Sequence, residues 1–403
     1  MKTVLVLGGG VGGVVTANAL RRTLDRADRV VVVDRQPDQL FAPSLLWLMV
    51  GRRQPARLAR PIAELLNPGI EFVRATVREI DPDQRRVVTE AGELGGDAIV
   101  VALGAQLAPE ASPGYAETAH DFFTVPGASS FRDALGRFGG GRVAVTVTSL
   151  PFKCPAAPYE AAFLIDAALR ERGIRERTEI DVYTPEPAPM PVAGPALGRA
   201  VVALLEQRGI RYHPDRPVQG YDPERHRILF ADGTSAKVDL LAATPPHRAP
   251  DAVRESGLAN AAGWIPVDRE TLETGRENVF AIGDVTAVQL VNGKLLPKAG
   301  VFAHGEALVV AERIAARFGR GREARFDGLG YCWVELGAGR AAFAVGQFFA
   351  QPDPRLTLRR PRRIWHLGKV LFERYWLGSG LERRLAGLGL QLGARALGLS
   401  SRL

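Results

Sequence analysis

The sequence predicts an α/β protein in which one parallel-sheet unit is inserted into another, with a separate C-terminal segment. Three observations predict it. The chain opens on "TVLVLGGGVGGVVTANALRRTL", an apolar strand, a glycine turn and a helix, and continues into the strand "RVVVVD", which ends on an acid. A second alternation of strand and helix starts at "GRVAVTVTS". Beyond it, "ENVFAIGDV" returns to the style of the first unit. These features describe two Rossmann-like dinucleotide-binding domains, one inserted in the other. Residues 1–107 and 255–325 form the first, 108–254 the second, and 326–403 a C-terminal cap with a basic amphipathic tail.

Each element has its own signal. Val14, Val15, Ala17, Ala19 and Leu20 give the first helix its apolar positions. The stretch "FVRATVREIDPDQRRVVTEAGELGGDAIVVALGA" reads as short strands and turns closing on the apolar run "AIVVALG". In the inserted unit, "AAFLIDAALRERG" reads as a helix, "EIDVYTP" as a strand, "GPALGRAVVALLEQRG" as a helix and "ADGT" as a hairpin turn. "HGEALVVAERIAARFG" is a helix of the returning part, and "GYCWVEL" and "RAAFAVGQFFA" are strands of the cap. No repeat of 20–50 residues interrupts this order.

Gly8, Gly10 and Gly13 fit G-x-G-x-x-G between a strand and a helix. The first allows the tight turn, the second lets a pyrophosphate approach the backbone, and the third permits close helix–strand packing. The helix N-terminus offers unpaired N–H groups to the phosphate. Asp34 closes the next strand, where an acid binds a ribose hydroxyl.

Composition excludes several classes. The hydrophobic share of 46% and charged share of 24% are those of an ordinary globular protein. The net charge of +8 is unevenly placed: residues 355–403 carry eleven Lys or Arg against two acids, and the other 354 residues hold 41 basic and 42 acidic side chains. One basic surface is expected, and no nucleic-acid coat. No apolar run approaches the ~20 residues that cross a bilayer. The chain opens directly on "KTVLVLGGG", which leaves no room for a signal peptide, so the cytoplasmic side of the cell membrane is the expected location. Two cysteines, Cys154 and Cys332, make neither a disulfide scaffold nor a zinc site, and no metal is expected. They are either two inert buried thiols or one redox pair. His120 and His304 lack metal-ligand spacing and are expected to be structural.

The glycine fingerprint, "VALGA" around Gly104 and "VFAIGDV" with Gly283 and Asp284 together resemble the two-dinucleotide-domain flavoproteins of the pyridine nucleotide–disulfide oxidoreductase superfamily. The resemblance implies FAD, with Asp284 on its ribityl chain and Lys298 of "LPKAG" beside the flavin ring. Members that oxidise NAD(P)H carry a second glycine loop after the first strand of the inserted domain. Here that place reads "SLPFKCPAAPYE", and no glycine occurs between Gly141 and Gly173. Pro151 and Pro155 remove N–H donors there as well.

The branch lacking that loop includes sulfide:quinone oxidoreductases and the flavoprotein subunit of flavocytochrome c sulfide dehydrogenase. "KCPAAPYEAA", "GYCWVEL", "FAPSLLWLMVG" and "HLGKVLFERYW" resemble its segments. The resemblance implies that Cys154 and Cys332 exchange sulfur with sulfide or a related sulfur compound, that Glu160 assists proton transfer, and that membrane quinone takes the electrons. It departs from the branch in lacking a third cysteine in "AETAHDFFTVPG" and a cysteine near Ala42, so FAD is expected to be non-covalent. Leu381, Leu385, Leu388 and Leu392 recur at helical spacing beside Arg383, Arg384 and Arg395. Such a tail suits an anionic membrane surface, aromatic side down, or else packs on the body or on a second copy of the chain. Two other functions fit the same pattern: a type II-like NADH:quinone dehydrogenase, and a non-catalytic flavin-binding assembly protein.

Overall fold

The computed structural model describes residues 1–396; the last seven residues of the basic tail lie outside the described residues. In chain order the elements are β1 (Thr3–Leu7), α1 (Val11–Thr23), β2 (Arg29–Asp34), β3 (Ile70–Arg74) and β4 (Ala98–Val101). The inserted set is β5 (His120–Asp121), α2 (Val125–Arg137), β6 (Gly141–Val147), α3 (Ala157–Glu171), β7 (Thr178–Tyr183), α4 (Pro195–Glu206), β8 (Ile210–His213) and β9 (Leu240–Thr244). The chain then returns through β10 (Val279–Ala281) and α5 (Gly300–Arg317) and ends in β11 (Leu329–Glu335), β12 (Ala341–Gln347), β13 (Arg355–Arg362), α6 (Arg363–Leu377) and α7 (Gly380–Ala396).

Two parallel five-stranded sheets result. The first runs β10–β4–β1–β2–β3 and the second β5–β9–β6–β7–β8. The first takes strands from both sides of the second, so one unit interrupts the other. Their central strands are continuous apolar runs because both faces are covered: Val4 to Leu7 and Val30 to Val33 are almost fully buried. One face of the first sheet packs against α1 and α5, where Ala17, Leu20, Ala307, Val310 and Ile314 share a core. Antiparallel three-stranded ribbons at 77–95 and 218–237 flank the two sheets. A third antiparallel sheet, β11–β12–β13, is covered by α6, on which α7 packs.

Of the two arrangements pictured for the tail, its aromatic side takes the one on the protein's own body. Trp365 stacks on Phe343 at 5.1 Å, Phe372 meets Trp333 at 5.3 Å and Phe41 at 5.7 Å, and Trp376 is buried. The aromatic side of the tail therefore packs on the protein's own body, since large flat rings gain most from a ready-made apolar wall. The leucines face outward instead: Leu381, Leu385, Leu388 and Leu392 are each more than half exposed, as are Ile364 and Leu367.

Candidate active site

The first site forms where α1 and α5 begin side by side. Gly8 has φ +112°, and a Cβ there would lie 2.3 Å from the Ala102 carbonyl oxygen. A Cβ on Gly13 would lie 1.7 Å from the Gly8 oxygen, so α1 packs onto its turn with no room for a side chain. A Cβ on Gly10 would meet nothing within 4 Å, which leaves its backbone open. Both helices start without a side-chain cap, at Gly10 and Ala299, so their first N–H groups are free for an anion. Ile282 and Ala303 reach within 3.6 Å of a Cβ placed on Gly12, which brings the Gly283–Asp284 turn against the same cleft.

Charged side chains brace this cleft. Asp34 accepts from the Gly9 N–H at 2.6 Å and the Gln36 N–H at 2.8 Å, tying β2 to the glycine turn. Gly104 (φ +68°) and Gly283 (φ +73°) adopt the left-handed conformation that glycine tolerates. The Gly283 N–H donates to the buried Glu306 carboxylate at 2.6 Å. Burial raises the Glu306 pKa to about 7. The Asp284 carboxylate takes no hydrogen bond among the described residues; burial raises its pKa, opposed by Lys153 and Lys298. Lys298 donates to the carbonyls of Asp284 and Thr286 at 2.6 and 2.9 Å and lies 3.6 Å from the Trp264 ring centre. Burial lowers its pKa to about 8. Lys298 thus holds the turn that carries Asp284.

A thiol chamber adjoins this cleft. After β6 the chain forms no glycine loop; it crosses to the other unit, where the Cys154 N–H donates to the Lys298 carbonyl at 2.7 Å. Lys153 and Lys298 pair as an isolated parallel bridge. Cys154 has φ +57°, a left-handed conformation costing a non-glycine residue about 1–3 kcal/mol. The Lys298 bond, and a second from the Ala157 N–H to the Cys154 carbonyl at 2.9 Å, hold it there. Cys332 comes from β11 and donates its thiol to the Trp333 carbonyl at 3.4 Å.

Both cysteines are free thiols and keep partial exposure, yet burial dominates their ionisation. Burial, then the Glu160 charge, pushes Cys154 up to about 12. Burial and the neighbouring Cys154 raise Cys332 well above its ordinary value. The two thiols therefore sense one another, and both sense Glu160 and Lys369.

Glu160 sits in the first turn of α3, 2% exposed. One carboxylate oxygen accepts from the Lys369 ammonium and from the Glu335 N–H, both at 2.7 Å. Burial raises its pKa against the pull of Lys369. Burial works against the Lys369 ammonium too, and the Glu160 and Glu335 carboxylates overcome it, leaving its pKa above the usual lysine value. Removing either partner of so buried a pair costs about 3–5 kcal/mol.

Lys369 belongs to a set of three on one face of α6. His366 Nδ1 lies 3.0 Å from the buried Glu335 carboxylate, and Glu373 accepts from Arg53 at 2.7 Å and from the Ser44 hydroxyl at 2.5 Å. Lys369, His366 and Glu335 are not among the residues the motifs single out. Their available signal is the i, i+3, i+7 spacing of His366, Lys369 and Glu373 in an otherwise apolar and aromatic helix. A cavity of about 440 Å³ lies between α3, α6 and the end of β11, lined in part by Trp47, Leu164, Glu171, Glu335, Ala338 and His366. His120 pairs with the Ser130 hydroxyl at 2.9 Å, while His304, its pKa lowered by burial to about 4, packs on Trp376. Neither joins the chamber, and no cluster suited to a metal ion occurs among the described residues.

Residues 2–307 match the family model described as pyridine nucleotide-disulphide oxidoreductase. The chain is similar to the mitochondrial sulfide:quinone oxidoreductase of Mus musculus, 25% identical over 424 residues that cover 96% of this chain and 90% of that protein. It is 28% identical over 397 residues to the sulfide-quinone reductase of Aquifex aeolicus (strain VF5), covering 93% and 90% of the two chains. Its fold matches the X-ray structure of the sulfide:quinone oxidoreductase from Aquifex aeolicus with a TM-score of 0.86 at 24% identity, over 100% of this chain and 96% of that one.

Proposed function

Because the chain belongs to the pyridine nucleotide-disulphide oxidoreductase family, we propose that it oxidises sulfide, or a related reduced sulfur compound, and passes the electrons to a quinone. It is an FAD-dependent enzyme, and the residues fit the cofactor without a covalent link. The uncapped starts of α1 and α5, the open backbone at Gly10 and the unpaired Asp284 carboxylate suit a pyrophosphate and a polyhydroxyl chain. Gly8, Gly10 and Gly13 would hold the phosphates, Asp34 the adenosine side, and Gly104, Gly283, Asp284 and Lys298 the ribityl and ring portions. Bound FAD supplies a two-electron acceptor. In this reading 1–107 with 255–325 is the cofactor domain, 108–254 the inserted domain and 326–403 the cap.

The observation that carries the reading is the thiol chamber. The chain's two cysteines, 178 residues apart, share a buried Glu160–Lys369 pair next to the Asp284 turn. Inert core thiols need no such partners. In the proposed chemistry hydrosulfide attacks the Cys154–Cys332 disulfide, leaving a persulfide on one cysteine and a thiolate on the other. Glu160 accepts the proton, and Lys369 holds the Glu160 charge and stabilises the thiolate.

The acceptor side follows from β11. Its alternation puts Tyr331 and Trp333 on the face opposite Cys332, where they join Phe343 and Phe372 in an aromatic wall. The exposed leucines of α7, with Arg383, Arg384 and Arg395 among them, fit a monotopic association with an anionic membrane, the source of a lipid-dissolved quinone. No helix among the described residues is long and apolar enough to cross a membrane.

The test is an anaerobic visible spectrum of the yellow protein, titrated in parallel with sulfide and with NADH, then given a soluble quinone. Bleaching by sulfide, reversed by quinone and lost in Cys154→Ser and Cys332→Ser proteins that keep their FAD, is the expected result. Bleaching by NADH alone would assign the chain to NADH oxidation. No bleaching by either would leave a flavin-binding protein without this activity.

A further inference from the structure

We propose that Glu335 and His366 carry the proton released at the thiol pair out to the cavity beside Trp47. The proposal rests on the sulfide-oxidising reading above and adds a route that reading leaves out. Each hydrosulfide ion converted to sulfane sulfur gives up two electrons and one proton. When hydrosulfide attacks the disulfide, the new S–S bond forms, the Cys154–Cys332 bond breaks, and the freed cysteine leaves as a thiolate with the electron pair. The proton stays on the persulfide and passes to Glu160 as the persulfide ionises. The electron pair leaves for the quinone-class acceptor. Once on Glu160, which is only 2% exposed, the proton needs a path to solvent.

The groups around Glu160 supply one. Lys369 donates to it from α6 and the Glu335 N–H from the end of β11, and the Cys154 and Cys332 thiols feel its charge from the loop after β6 and from β11. Lys369 donates to Glu160 at 2.7 Å and feels the Glu335 charge as well. The Glu335 carboxylate, 1% exposed, is met at 3.0 and 3.1 Å by His366 Nδ1. His366 is more exposed, its side chain at 27%, and it and Glu335 both line the cavity of about 440 Å³. The lining of that cavity includes the exposed Arg52–Glu171 pair and Arg53, which lies 4.3 Å over Trp47. The sequence of groups therefore runs from two thiols, through a carboxylate, an ammonium and a second carboxylate, to an imidazole at a cavity that reaches exposed side chains. Since His366 and Glu335 act through Glu160, they are positioned along the route and touch no reacting sulfur.

Anaerobic stopped-flow bleaching by sulfide tests this, with FAD content as the check of folding. His366→Ala is expected to slow bleaching about 100-fold, the low end of the range for losing a proton-transfer group. Added imidazole, small enough for the cavity, is expected to restore much of the loss with a saturating dependence. His366→Gln retains a donor towards Glu335 and carries no proton, so it is expected to be as slow as His366→Ala. Glu335→Gln is expected to be slow and insensitive to imidazole, because that block lies inward of the cavity. A His366→Gln protein as fast as its parent, or a His366→Ala loss that imidazole does not relieve, overturns the route. A parent that sulfide does not bleach sinks the functional reading and the route with it. A bleached parent with unaffected variants sinks the route alone.

Discussion

The reduced thiol pair is expected to resist alkylation until Glu160 loses its charge. Burial and Glu160 push Cys154 up to about 12. At pH 8 such a thiol is ionised to about one part in 10⁴, against about a quarter for an ordinary cysteine, a deficit of roughly 2,000-fold. A more basic thiolate is also the better nucleophile, and the usual dependence returns roughly 40-fold. Iodoacetamide is then expected to label Cys154 about 50- to 100-fold more slowly than an unfolded cysteine peptide, before any loss through restricted access. The assay is the mass of the Cys154 peptide against time, in FAD-loaded reduced protein, from pH 7 to 11. The rate is expected to climb about tenfold per pH unit over that range. Two variants fix the cause. Glu160→Gln removes the charge that opposes the thiolate and is expected to speed labelling. Lys369→Met removes the cation that favours it and is expected to slow labelling further. A labelling midpoint between pH 8 and 9, or variants that move the rate in the opposite directions, would refute the reasoning.

Three further outcomes are expected. Gly13→Ala puts a Cβ 1.7 Å from the Gly8 oxygen, so the purified protein is expected to lose its visible flavin absorbance with the turn itself, whereas Gly10→Ala meets no protein atom within 4 Å and is expected to fold normally but hold FAD less tightly, because its methyl stands where the pyrophosphate approaches. Glu306 binds its proton more tightly in the folded protein, with its pKa at about 7 against an ordinary 4.5. The stability this contributes is full below pH 4.5 and lost as pH rises through about 7, about 3 kcal/mol in all. Denaturant midpoints are thus expected to fall between pH 5 and 8, and Glu306→Gln to flatten that fall; an unchanged slope would assign it elsewhere. Leu385→Glu with Leu388→Glu is expected to release the protein from anionic vesicles in sedimentation without altering sulfide bleaching in solution, and undiminished sedimentation would remove α7 from the membrane contact.

The two sheets and the cofactor cleft are legible in the sequence because their signals are local. A buried parallel strand must be an apolar run, a tight phosphate turn must be glycine, and both sit within about thirty residues of one another. Gly8, Gly10, Gly13 and Asp34 fall where such a turn demands. The chamber is less legible because its partners are distant in the chain. Cys154 takes its conformation from the carbonyl of Lys298, and Glu160 takes its counter-ion from residue 369. The tail is where composition misleads: its cations among aromatics read as one surface, yet four of them lie on β13, Lys369 is buried on α6, and Arg383, Arg384 and Arg395 lie on α7 beside its exposed leucines. Helical period alone does not tell which face meets the body, because both faces of the C-terminal pair carry apolar side chains.

The Glu160–Lys369 pair also sets an order of events during synthesis. The two residues are 209 positions apart. A ribosome adding about 5–20 residues per second leaves Glu160 without its cation for roughly 10–40 s after it is made. By the end of that interval both α/β sheets have all their strands, because β10 ends 82 residues before α6 begins. Cys332 arrives only 37 residues ahead of Lys369. The nascent protein thus acquires its cofactor cleft first, its second thiol next, and the charge that tames the chamber last. Reactive sulfur chemistry has no complete site to occur in until the folded scaffold around it is in place.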